Sequence, residues 1–138
     1  MASIIYNSAL DDAVKGNIDF DTDTFKIILV TSSYVADKDA HTKRSDVTNE
    51  ASGTGYTTGG ETTTVTVTKD TANDRIDIDF SDVAWPNATL TAAGAVIYKS
   101  TGTAATDNLV AYLDFAGDVS STNGTFTVDI TSPLRLQN

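Results

Sequence analysis

The stretch VTVTKDTANDRIDIDF, residues 65–80, constrains the fold more than any other part of the chain. Val65 and Val67 alternate with Thr66 and Thr68, and Ile76, Ile78 and Phe80 alternate with Asp77 and Asp79. A period of two is the signature of a half-buried strand. Between the runs, DTAND (residues 70–74) is built from turn-forming residues. The two runs therefore predict a hairpin with Ile76, Ile78 and Phe80 facing inward and Asp77 and Asp79 facing water. A hairpin with one apolar face is not stable alone, so the rest of the chain has to supply a second layer.

The remaining segments supply it mostly as further strands. FKIILV, within residues 23–34, is short, apolar and β-branched on both faces, as a central strand is. ETTTVTVTK reads as one strand leading into the hairpin. The stretches 92–99, 108–115 and TFTVDI from Thr125 read as strands, and LRL near the end as a last short one. Pro86 ends what precedes it, and GDVSSTNG, residues 117–124, reads as a turn. Residues 35–50 are polar and read as a loop with one helical turn. In SIIYNSALDDAVK, residues 3–15, a rough stripe of Ile5, Ala9, Leu10, Ala13 and Val14 predicts a short helix after an extended start, with Asn7 as cap and Gly16 as stop. Turn signals every 8–12 residues predict one all-β domain over residues 1–138. The expected fold is a single antiparallel β-sandwich, jelly-roll-like, of six to eight strands with one or two short helical segments. Residues 1–20 form an N-terminal arm or short helix.

Bulk chemistry removes several functions. The 138 residues include no cysteine, which excludes disulfides, thiolate metal sites and a cysteine nucleophile. The formal charge of -10 is opposite to what phosphate backbones attract. No nucleic-acid or membrane partner is expected. No basic leader or long apolar run is read at the N-terminus, which points to assembly in a cytoplasm. Threonine occurs 23 times, which suits water-tolerant strand faces.

Motifs for chemistry fail on inspection. Asp19, Asp21 and Asp23 begin a calcium-loop pattern, but Thr24 and Val30 stand where that loop needs glycine and glutamate, so a solvated loop is expected. His41, the one histidine, lies in the polar run DKDAHTKRSD and reads as an exposed loop residue without triad partners. Asp77 and Asp79 share a strand face, which explains them without catalysis. The run GTGYTTGGET packs Gly53, Gly55, Gly59 and Gly60 around Tyr56. As a phosphate loop it has Glu61 where lysine is required, and as a dinucleotide fingerprint it has Thr58 in the third glycine's place and precedes a strand instead of a helix. Its glycines read as a hinge: Gly53 and Gly55 for φ > 0 or close approach, Gly59 and Gly60 to bend the chain into the next strand, with the Tyr56 ring on the core. No catalytic, cofactor-binding or metal residue, no cofactor and no small-molecule substrate is expected.

The residues F25, L29, T31-S32, Y34, H41, S45-D46-V47, E50, G53, G55-Y56, G59-G60, W85, N87-A88-T89 and D114-F115 form a pattern, LxTSxY…SDVxxE…GxGYxxGG…WxNAT. It resembles a group of small virion structural proteins of tailed bacteriophages and prophages, across nearly the whole chain. Pro86 departs from it. The resemblance implies Gly53, Gly55, Tyr56, Gly59, Gly60 and Trp85 as a structural signature. It also implies a virion location, with a capsid decoration (cement) protein on the outer head surface as the leading expectation. Such a protein would be a homo-oligomer partnered by itself and by the major capsid protein. A tail, neck or fibre component is the alternative. An enzyme, for instance one acting on polysaccharide, ranks last because no clustered acid–histidine set supports it.

Overall fold

The computed structural model describes residues 3–138. Eight strands and one helix follow in the order β1 (Ile4–Ile5), α1 (Asn7–Lys15), β2 (Phe25–Val30), β3 (Glu61–Thr63), β4 (Val65–Asp70), β5 (Arg75–Phe80), β6 (Val83–Lys99), β7 (Leu109–Val128) and β8 (Leu134–Gln137), with a 3₁₀ turn at Arg44–Asp46. They make two antiparallel sheets, a five-stranded β1-β7-β6-β2-β3 and a three-stranded β4-β5-β8. This is the all-β, sandwich-like architecture that the alternation requires.

The hairpin β4–β5 has the expected faces. Val65 pairs with Phe80 and Val67 with Ile78. Ile78 and Phe80 are buried while Asp79 is exposed. The core between the sheets gathers Phe25, Ile27 and Leu29 of β2, Trp85, Leu90 and Ile97 of β6, Phe126 of β7 and the hairpin's Ile78 and Phe80. Phe20 stacks on Phe25 at 5.4 Å, and Phe80 meets Phe25 edge-on at 5.9 Å, contacts worth about 0.5–1.5 kcal/mol beyond burial. Ile28 and Val30 point to the other face of β2, where they form a second core with Tyr6, Tyr34, Val96, Tyr98, Leu109 and Tyr112. β2 is buried on both faces because Tyr6 and the 31–47 segment, through Tyr34, Ala36 and Val47, cover the second one.

Several boundaries differ from expectation. The run ETTTVTVTK is two strands in two sheets: Thr63 pairs with Phe25, whereas Val65 pairs with Phe80. Thr64 crosses between the layers. Its N–H donates to Ser81 Oγ (2.9 Å) and its carbonyl accepts the Ser81 N–H (2.9 Å), so the corner leaves no backbone group unpaired. Pro86 does not end a strand. It sits inside β6 where β2 no longer pairs and where the register shifts between Trp85 and Ala88. There its missing N–H costs no ladder bond on the β2 side, and a bulge absorbs it. Residues 117–124 are not a turn but part of β7, their turn-prone residues serving as bulges with positive φ at Gly117 and Asn123. The helix follows an extended start and ends at Gly16 in the left-handed region, as expected. Its cap position, however, is Tyr6 rather than Asn7. Its buried face is Ala9 with Asp12, while Leu10 and Val14 are 50% and 89% exposed. The helix is turned so that the Asp12 carboxylate accepts from Asn108 (2.7 Å) and Asn17 (3.0 Å).

Candidate functional site

The six signature residues converge on one place. The chain from Glu50 to Gly60 lies against the sides of β2 and β6, beyond the end of β3. Ala51 N–H donates to Leu29 O at 2.8 Å, and Thr89 N–H to Thr54 O at 3.0 Å. The backbone approaches closely: a Cβ on Gly53 would sit 2.3 Å from Thr89 O, one on Gly55 2.9 Å from Ala88 Cα, and one on Gly60 1.8 Å from Ile27 O. Gly55 and Gly60 also have φ of +84° and +74°, which side chains disfavour. The hinge reading of these glycines holds on both counts, φ and proximity.

Tyr56 fastens the loop. Its ring packs on Trp85 at 5.7 Å. Its hydroxyl accepts the Leu29 N–H (3.1 Å), standing in for the ladder bond that β3 is too short to give. The same hydroxyl donates to Glu50 Oε1 at 2.6 Å. Glu50 Oε1 also accepts the Gly59 N–H at 2.7 Å, and the Gly59 carbonyl accepts from the Tyr98 hydroxyl at 2.6 Å. Burial, reinforced by the bond to Glu50, holds the Tyr56 phenol well above its ordinary pKa, so it stays a neutral donor.

Tyr98 links this lock to an ion pair. The Arg44 guanidinium lies 5.1 Å from the Tyr98 ring centroid and its Nε donates to Asp107 Oδ2 at 2.8 Å. Asp107 is 1% exposed. Its second oxygen accepts from the Thr101 N–H (2.6 Å) and hydroxyl (2.8 Å). Burial alone would raise its pKa, but the bonds from Arg44 and Thr101 outweigh it and hold the carboxyl below the usual range. Burial pushes Tyr98 up to about 12, although Arg44 pulls the other way.

His41 is corrected: it is half-buried, not exposed. Its ring stacks on Tyr34 at 5.7 Å, and its Nδ1 lies 3.0 Å from the Tyr34 hydroxyl, which in turn is 2.8 Å from that of buried Tyr6. The 31–47 segment folds back over the second core and carries the histidine with it. In the DxDxD run, Asp19 Oδ1 accepts the Asp21 N–H (3.0 Å), and Asp23 Oδ2 accepts the Asp19 N–H (2.7 Å) while pairing with Lys99 (2.9 Å). These carboxylates close their own turn. Among the described residues no group of three His, Asp or Glu side chains has metal-holding geometry. Asp77 accepts from Arg75 (3.1 Å) and Arg135 (3.0 Å), a surface ion cluster on the hairpin.

Three participants were not named as site residues. Glu50, which stands in the SDVxxE part of the pattern, is the hub of the lock, Asp107 anchors Arg44, and Asp12 joins α1 to β7. The other two leave a trace in the sequence. Asp107 is the one charged residue between Lys99 and Asp114, and Asp12 lies three residues after Ala9 on the helix's inner stripe. Charged side chains are seldom buried unless paired, and both of these are. Comparison with protein-family models, curated proteins and solved structures found no match to this chain.

Proposed function

We propose that the chain is a structural protein of a tailed-bacteriophage virion. Its role is capsid decoration: it binds the outer head surface and stabilises the shell by bridging major capsid subunits. One observation carries the reading. The residues of the phage-like pattern, Gly53, Gly55, Tyr56, Gly59, Gly60 and Trp85, meet in a single cluster interlocked by the Tyr56 hydroxyl, the Glu50 carboxylate, the Tyr98 hydroxyl and the Tyr56–Trp85 ring contact. A pattern that persists because it builds a fold suits a family defined by shape and assembly. The acidic chain, with threonine-lined strands, also suits a protein displayed at high density. Assembly takes place in the bacterial cytoplasm, without nucleic acid, membrane or small-molecule substrate.

Copy number tests the proposal. Quantified gel bands of purified particles are expected to give a number comparable to that of the major capsid protein, and imaging is expected to show density on the head. A few copies per particle, with density confined to the tail, neck or fibres, would replace this reading with the tail-component one.

A further inference from the structure

The long ribbon made by β6 and β7 has two edges, and the molecule treats them differently. On the β6 side, beyond the reach of β2, the glycine loop closes the edge: Thr54 bridges Thr89, and Gly53 and Gly55 press against residues 87–89. On the β7 side, among the described residues, Ile4 and Ile5 pair at Tyr112 and Ala111, flanked by bonds from Tyr6 N–H to Val110 O and from Asp114 N–H to Ser3 Oγ. Among the described residues, no hydrogen bond from outside the ribbon reaches residues 119–128. A row of strand N–H and C=O groups is left facing out, a template for another strand.

Charge decides what can approach it. Residues 119–128 contain no ionisable side chain, and neither does the 83–97 run of β6 beside them, in a chain of formal charge -10. The outer face of the ribbon shows Ala84, Thr89 and Thr91 from β6 and Ser120, Thr125 and Thr127 from β7. The β4 edge of the smaller sheet, by comparison, offers four uncharged residues, 65–68, before Lys69 and Asp70. Natural edges are protected by lysine, proline or inward charge. Here the one protection is a bulge at Thr122 and Asn123, set by the pairs Ala88 with Gly124 and Leu90 with Ser121. Beyond it residues 124–128, paired with β6 at Gly124, Phe126, Thr127 and Val128, span about 17 Å, the length of an ordinary strand.

We propose that this edge pairs, antiparallel, with the same edge of a second copy of the chain. The two copies of residues 124–128 form a ladder about a two-fold axis at Phe126, so that Thr125 of each copy faces Thr127 of the other. The contact is isologous and self-closing, and Thr–Thr pairs are favourable across antiparallel strands. The two five-stranded sheets become one continuous ten-stranded sheet. The pairing goes beyond the virion reading and stands or falls without it.

Sedimentation of the intact chain from low micromolar to millimolar concentration tests it, together with amide exchange at both extremes. The expected result is a mass rising to twice 14.5 kDa. Slowed exchange should appear within residues 124–128 only at high concentration. The double substitution Thr125→Lys/Thr127→Lys places four lysines across the axis and should give a folded monomer. A wild-type monomer at every concentration overturns the proposal. So does a dimer that survives in the folded double variant, or one whose residues 124–128 exchange equally fast at both concentrations. Should the double variant not fold, the wild-type exchange result decides alone.

Discussion

Replacing Tyr56 by Phe isolates the hydroxyl from the ring. The ring keeps its place on Trp85, 5.7 Å away, so little packing is lost. Two bonds disappear: the 3.1 Å one from Leu29 N–H and the 2.6 Å one to Glu50. Leu29 is wholly buried, and its N–H would find no other acceptor in place. A stranded buried donor costs about 1–3 kcal/mol, and a hydrogen bond to a charged group contributes about 1.5–3 kcal/mol. Glu50 keeps Gly59 N–H and is partly exposed, so the second term is discounted, giving about 2–4 kcal/mol together. Unfolding entropy of about 2.1 cal/mol/K per residue gives about 0.29 kcal/mol/K over 138 residues, so Tm should fall by about 7–14 °C. Thermal unfolding followed by circular dichroism measures this, and amide exchange at Leu29 should accelerate in parallel. A Tm within about 2 °C of wild type, with Leu29 still protected, would refute the claim that the hydroxyl substitutes for a ladder bond.

Three further outcomes follow from the same geometry. Asp107→Asn should cost about 2–4 kcal/mol in urea unfolding, less than a fully buried pair because Arg44 keeps 20% exposure. Since Asp107 titrates below the usual carboxylate range when folded, its contribution is present above about pH 4 and lost below it, so the variant should lose less stability on acidification. Gly55→Val meets Ala88 at 2.9 Å with φ at +84° and should lower stability by about 2–5 kcal/mol and reduce soluble yield and particle incorporation together; a soluble variant with unchanged melting would contradict the hinge. At the alkaline end, Tyr6, Tyr34, Tyr56, Tyr98 and Tyr112 all sit above their ordinary pKa, chiefly through burial, so the unfolded chain releases protons first and stability should fall as pH rises past about 10; a flat profile to pH 11, followed by phenolate absorbance, would contradict it.

What was legible in the sequence was what repeats. The period-two runs located the β4–β5 hairpin and its faces, because burial of one face writes itself into every second residue, and the unbroken apolar run FKIILV located β2, which is buried on both. The breaks were hidden where the local pattern carries no mark. Threonine and valine alternate unchanged through Thr64, so nothing announces that the chain leaves one sheet for the other; Ser81, seventeen residues on, makes that corner possible. Pro86 and the 117–124 run look like terminators, yet a strand bonded on one side tolerates both. The glycine loop was legible as backbone geometry, whereas its fastening was not: Glu50, Tyr56, Gly59 and Tyr98 meet only once β2 and β6 are side by side. His41 was misplaced for the same reason, its polar neighbours concealing that Tyr34 brings it back over the second core.

These features share one physical cause, the handling of sheet edges. β3 covers β2 only from Phe25 to Ile27. Past that point Leu29 and Val30 would face outward unpaired, and the chain meets the need with Ala51, the Glu50 bridge and the Tyr56 hydroxyl. β2 covers β6 only from Gly94 to Lys99, and Thr54 takes over at Thr89. A loop can do this only if its backbone comes as close as a strand would, which is why Cβ atoms at Gly53, Gly55 and Gly60 would collide. The glycine cluster is thus a substitute strand edge. The Glu50, Tyr56, Gly59 and Tyr98 groups bond to one another to hold it. On the other side of the sheet, among the described residues, β1 does the same work for Tyr112 and Ala111, and Ser3 Oγ accepts the Asp114 N–H. A chain that seals one edge this thoroughly and, among the described residues, leaves ten uncharged residues of the other edge without an outer partner offers there its longest stretch where another strand can join at no electrostatic cost.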